Sequence, residues 1–73
     1  MEFEIQAKDG ALPCEVIIDE DNGRYMLRDA DTTGEVFNDP YQLKAWIEAN
    51  WHAGRFEDPD QFQQLLQELK AYS

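Results

Sequence analysis

A second cysteine is missing from this sequence, and so is a second histidine. The lone Cys14 excludes an internal disulfide and a thiolate metal cage. Basic residues are scarce: six stand against 16 acidic ones, for a formal net charge of −10. Such a balance repels a phosphate backbone or an anionic membrane surface, so no direct nucleic-acid or membrane partner is expected. Basic protein surfaces remain plausible partners. No run of about 18 apolar residues occurs. The N-terminal Met1-Glu2-Phe3-Glu4-Ile5 lacks the positive flank of a signal peptide, and a cytoplasmic location is the expectation. There is no phosphate-cradling glycine loop and no dinucleotide fingerprint, so no cofactor is expected.

What is present fits one small domain over residues 1–73, near the lower size at which a single core holds a fold without staples. A homodimer would be a natural supplement to so small a core. There is little room for a deep, dry active site.

The best-signalled stretch runs from Gly34 to Trp51. In it an apolar strand end, Val36-Phe37, passes into a helix start. Asp39 can cap the free backbone N–H groups, Pro40 suits the first helical position, and Gln42 completes a capping box. The chain before this junction reads as strands. Glu2 to Lys8 alternates strictly, with Phe3, Ile5 and Ala7 on one face. After Asp9-Gly10 and Ala11-Leu12-Pro13 comes a second strand, Cys14 to Asp19. Asn22-Gly23 is a strong two-residue hairpin signal before a third strand, Arg24 to Asp29. Counting outward from that turn sets Ile18 opposite Leu27 and Asp19 opposite Met26. Val16, Ile18, Tyr25 and Leu27 then share the core face, and Ile17 and Met26 lie on the other among Glu15, Asp19 and Arg28.

Beyond the junction the periodicity is helical. Leu43, Trp46, Ile47 and Asn50 form one stripe, with Trp51 a quarter-turn off it and Tyr41 nearly opposite. Ala53-Gly54 supplies a stop, with Gly54 suited to a left-handed cap. Asp58-Pro59-Asp60-Gln61 repeats the start signal for a second helix with the stripe Phe62, Leu65, Leu66, Leu69 and Tyr72. The expected fold is α+β: an antiparallel β-meander of three to four strands followed by two helices packed on one face, ββββαα. Its core should join Phe3, Ile5, Val16, Ile18, Leu27 and Val36 to Leu43, Trp46, Ile47, Phe62, Leu65, Leu66 and Leu69.

The sharpest local motif is Asp29-Ala30-Asp31-Thr32-Thr33-Gly34-Glu35-Val36. It resembles the opening of an EF-hand calcium loop, with oxygen ligands at positions 1, 3 and 5, Gly at 6 and an aliphatic residue at 8. That resemblance implies a calcium-binding module. It then breaks, because position 12 is Pro40 where the family has a bidentate Glu, and a strand precedes the loop where the family has a helix. A solvated Asp/Thr/Gly turn accounts for the same residues, and no metal site is expected.

No catalytic constellation is evident, and the expectation is a protein that is not an enzyme. His52, beside Trp51 at a helix end, is explained by the helix dipole. Cys14 starts a strand on its core side, where a buried inert thiol is usual. Among the aromatics, Trp51 and Phe56 either close the helix–helix junction or rim an interface. Tyr41 and Trp51 from the first helix, with Ile17 and Met26 from the outer sheet face, are the candidate partner-binding residues. The expected function is that of a small acidic accessory or regulatory protein acting through protein–protein contact. The alternatives are an acidic nucleic-acid mimic, whose carboxylates occupy the basic groove of a DNA- or RNA-binding protein, and the calcium-binding module.

Overall fold

A computed structural model describes residues 1–10 and 12–72; Ala11, in the first connection, lies outside the described residues. Four strands come first: β1 (Glu2–Ile5), β2 (Cys14–Asp19), β3 (Arg24–Arg28) and β4 (Gly34–Phe37). They form one sheet in the order β1-β2-β3-β4, every neighbouring pair antiparallel. Two helices follow, α1 (Pro40–Asn50) and α2 (Pro59–Leu69), each with a 3₁₀ turn after it, Ala53–Arg55 and Lys70–Tyr72. This is the ββββαα meander that the alternation and the two Asp-Pro starts imply.

The β2–β3 register differs from the count taken from Asn22-Gly23. Val16 pairs with Leu27, Ile17 with Met26, Ile18 with Tyr25 and Asp19 with Arg24. The loop is therefore Glu20–Gly23 rather than two residues. A two-residue type I′ turn needs positive φ at both Asn22 and Gly23, and only Gly23 has it, at 65°. The Asp19 carboxylate overrides the short turn by accepting from the Asn22 amide at 3.3 Å and from Asn22 Nδ2 at 2.8 Å. The slip is two residues, an even number, so every side chain keeps its face.

Strand β4 corrects a second expectation. Val36 pairs with Met26 and is 77 % exposed, while Phe37 pairs with Tyr25 and is half-buried on the inner face. Two adjacent apolar residues leave the alternation ambiguous, and the β3–β4 loop decides it. That loop closes through Asp29 N–H to Thr33 O at 2.8 Å, with Thr32 in the left-handed region at φ 70°.

β1 ends at Ile5, earlier than its alternation suggests. Beyond it, Ala7 bridges Phe56, Lys8 N–H donates to Arg55 O at 2.9 Å, and Glu57 N–H donates to Gln6 O at 3.0 Å. The chain past β1 thus pairs with the α1–α2 connection and ties both helices to one side of the sheet. Gly10 lets the β1–β2 connection pass close to the β3–β4 loop: a Cβ there would stand 2.3 Å from Ala30 Cβ.

Both helices carry the expected caps, built differently. Asp39 accepts from the Gln42 amide at 2.8 Å, and Gln42 Oε1 reaches back to the Asn38 amide at 3.4 Å, one residue before the usual capping-box partner. Asp58 accepts from the Asp60 amide at 3.0 Å. α1 stops at Asn50, short of Gly54, whose φ is not positive and which lies within the 3₁₀ turn. Trp51 leaves the helix in extended conformation, and this swing buries its indole to 3 % exposure. Leu43 and Ile47 of α1 and Phe62, Leu65 and Leu69 of α2 then meet Ile5, Val16, Ile18 and Leu27. Trp46 is half-buried at the margin, a step out from the central place its stripe position suggests.

Candidate functional site

The helices cover one face of the sheet, and the register assembles the other. Along one row, Glu2 of β1 pairs with Ile17, Ile17 with Met26, and Met26 with Val36. Ile17, Met26 and Val36 thus form an apolar row across three strands, half-buried at Ile17 and Met26 and open at Val36. The row above holds Glu4, Glu15, Arg28 and Gly34, and below the apolar row Asp19 pairs with Arg24. Arg24 Nη2 approaches Met26 Sδ at 3.8 Å. Glu15, Ile17, Met26, Leu27 and Arg28 line a shallow hollow of about 140 Å³.

Arg28 is loosely held. Its Nη2 stands 3.5 Å from Glu15 Oε2 and 3.3 Å from the Pro13 carbonyl, both long for charge-assisted bonds. Its Nε has no hydrogen-bond partner among the described residues.

The other candidate anchors fall elsewhere. Tyr41 is 60 % exposed in the first turn of α1, on the helical side of the molecule. Trp51 is enclosed. Its ring lies between Trp46 and Phe56 at centroid distances of 5.8 and 5.7 Å, in a chain that continues from Phe56 to Phe62 at 5.1 Å. It closes the helix–helix junction with Phe56 and offers no surface to a partner. Val36 is the outer-face residue that reading the sequence missed, because its orientation follows from the register alone.

A polar cluster on the inner side also escapes sequence reading. Asp29 Oδ1 accepts from Arg55 Nη2 at 2.5 Å and from the Ala30 amide at 2.7 Å, and Oδ2 accepts from Trp51 Nε1 at 3.4 Å. Burial opposes the Asp29 charge, but these hydrogen bonds and the Arg55 cation outweigh it and hold the carboxyl below its ordinary pKa. Burial, reinforced by the Asp29 charge, pushes the Cys14 thiol up to about 11. A thiol so protonated is a poor nucleophile at neutral pH. Arg55 also lies 6.0 Å from the Trp51 ring centroid and 5.9 Å from that of Phe56. The cluster is a cross-brace between the end of β3 and the α1–α2 connection. Its sequence signal is slight: Arg55 is the one Arg or Lys between the helices.

The residues that resemble a calcium loop are occupied within the fold. Asp29 turns inward to Arg55, and Asp31 accepts from the Thr33 amide at 3.1 Å and the Thr33 hydroxyl at 2.5 Å. Among the described residues, no group of three or more His, Cys, Asp or Glu converges as a metal site. No helix among them is long and apolar enough to cross a membrane.

Comparison with family models, curated proteins and solved structures finds no match. The functional reading therefore rests on the chain's own surface.

Proposed function

We propose that this chain is a small acidic accessory or regulatory protein without enzymatic activity, working in the cytoplasm through protein–protein contact at the outer face of its sheet. The observation that carries the reading is the row Ile17–Met26–Val36, with Val36 77 % exposed on a face that no helix covers. Other large apolar residues in the open, Leu12 and Tyr41 among them, stand apart from this row. Isolated exposed apolar residues are ordinary on a protein surface, whereas three in register across adjacent strands make a contact patch. The net charge of −10 favours partners with a basic surface.

The test is capture from the native cell on immobilised wild-type chain, followed by affinity measurement on what is retained. Ile17→Ser and Met26→Ser should each weaken binding about tenfold or more, and Tyr41→Ala should leave it near wild type. Loss at Tyr41 with no change at the outer face would move the contact to α1. Steep weakening with salt and near-wild-type binding by all three variants would favour the nucleic-acid mimic, in which many carboxylates act together.

A further inference from the structure

The charges of the outer face match the face itself. On β2, Glu15 and Asp19 flank Ile17; on β3, Arg28 and Arg24 flank Met26, and the register sets each acid opposite an arginine. Two acids and two arginines sum to zero, so the whole net charge of −10 lies outside these four residues. With Glu2 and Glu4 of β1 on the same face, the outer strand residues sum to −2, four acids against two arginines, and the β2–β3 centre is a neutral, apolar patch on a strongly acidic chain. Two copies, which repel each other over most approaches, meet least repulsion here.

A closed dimer needs a patch complementary to itself under a two-fold rotation. Two ways of stacking the outer faces put row upon row. With the axis across the strands, β2 lies over β2, bringing Glu15 onto Asp19 and Arg28 onto Arg24, like charge on like. With the axis along the strands, between β2 and β3, β2 lies over β3. Glu15 then meets Arg28 of the second copy, Asp19 meets Arg24, and Ile17 meets Met26. We infer that this chain pairs with a second copy of itself, outer face to outer face, about a two-fold axis that runs along the strands between β2 and β3. The inference rests on the outer face being the contact surface proposed above and names a second copy as its occupant; the net charge that favours basic partners lies mostly outside this face.

Two further features fit. The Arg28 guanidinium head, partly exposed and held only by long contacts to Glu15 and Pro13, has donor capacity left for a carboxylate of the second copy. Stacked sheets about 10 Å apart let such side chains interdigitate. The face is small: four strands about 4.8 Å apart and about five residues long make roughly 19 by 17 Å. That is about 320 Å² per copy and roughly 650 Å² in all, below the roughly 1,200 Å² of a stable specific interface, so the dimer is weak, transient and concentration-dependent.

The experiment is sedimentation velocity on the purified chain from micromolar to millimolar concentration, with Glu15→Arg and Arg28→Glu variants whose folding is checked by circular dichroism and melting. Each variant loses a partly exposed ion pair, Arg28→Glu also loses the contact to the Pro13 carbonyl, and each sets like charges on paired positions of β2 and β3, small costs that the melting check reads. The wild type should dimerise as concentration rises. Each variant alone should self-associate about tenfold more weakly, since it sets like charges face to face. An equimolar mixture of the two should recover association, because every facing pair is then opposite in sign. A wild type that stays monomeric, variants that dimerise as well as wild type, or a mixture no tighter than its components would each overturn the inference. If the chain is monomeric while Ile17→Ser and Met26→Ser still lose a captured partner, only the self-pairing falls. If it is monomeric and those variants keep every partner, the contact surface falls with it.

Discussion

The two faces of this sheet are built from alternate residues of the same strands, yet they serve different ends. On the inner face Val16, Ile18 and Leu27 are at most 2 % exposed. One residue along each strand, Ile17 and Met26 stay half-open, and Val36 on β4 is nearly bare. Side-chain hydrophobicity does not separate the two sets. What separates them is where the helices dock, and that is set by the pairing of residues 6–8 with the α1–α2 connection. Burial here follows from topology, with residue type as a necessary condition only.

The comparison breaks most readily at Phe56, which is fully buried between Trp51 and Phe62. Phe56→Ala should cost about 3–5 kcal/mol in urea unfolding, enough to unfold a domain this small, whereas Met26→Ala should cost under about 1 kcal/mol. Similar losses at both sites would mean that the faces are not energetically distinct.

Next in size is the Asp29 brace. Asp29→Asn should destabilise by about 2 kcal/mol, less than a fully buried pair because both side chains keep about a fifth of their exposure. The Asp29 pKa is depressed by folding, so its stabilisation is present above the unfolded carboxyl value of about 3.9 and is lost as pH falls through the lower folded value. Wild-type stability should therefore fall below about pH 4, and the Asn variant should show a shallower decline there. Parallel acid profiles would place the acid sensitivity elsewhere.

Smaller again are the caps that aim the helices at the inner face. Asp39→Ala and Asp58→Ala should each lose about 0.5–2 kcal/mol, read as a shift in melting temperature. No shift in either would show that the docked faces hold the helices without their caps.

The smallest expected effect is none. Millimolar calcium should leave the melting temperature unchanged, because Asp29 is held by Arg55 and Asp31 by Thr33. Saturable binding that Asp31→Ala abolishes would overturn this.

Local pattern alone determined much of this molecule. Period-two alternation marks the strands, Asp-Pro marks both helix starts, and the stripe of α2 marks its buried side, since each signal depends on residues a few positions apart. Even with the β2–β3 register slipped by two, face assignment survived, because side chains alternate with a period of two. Three things were decided only in the tertiary structure. By helical phase Trp51 could close the helix–helix junction or rim an interface, and the fold takes the first: the helix ends one residue before it and the indole turns inward. Val36 looked like core, but β4 takes its phase from Met26, a residue ten positions earlier. Asp29 and Arg55 looked like a loop acid and a connection base until the fold set them 2.5 Å apart across 26 residues. The outer-face charge pattern belongs to this second group too, since pairing Glu15 with Arg28 and Asp19 with Arg24 needs the true register. Phase within one element is a local property of the backbone, but register and burial depend on contacts between segments far apart in the chain.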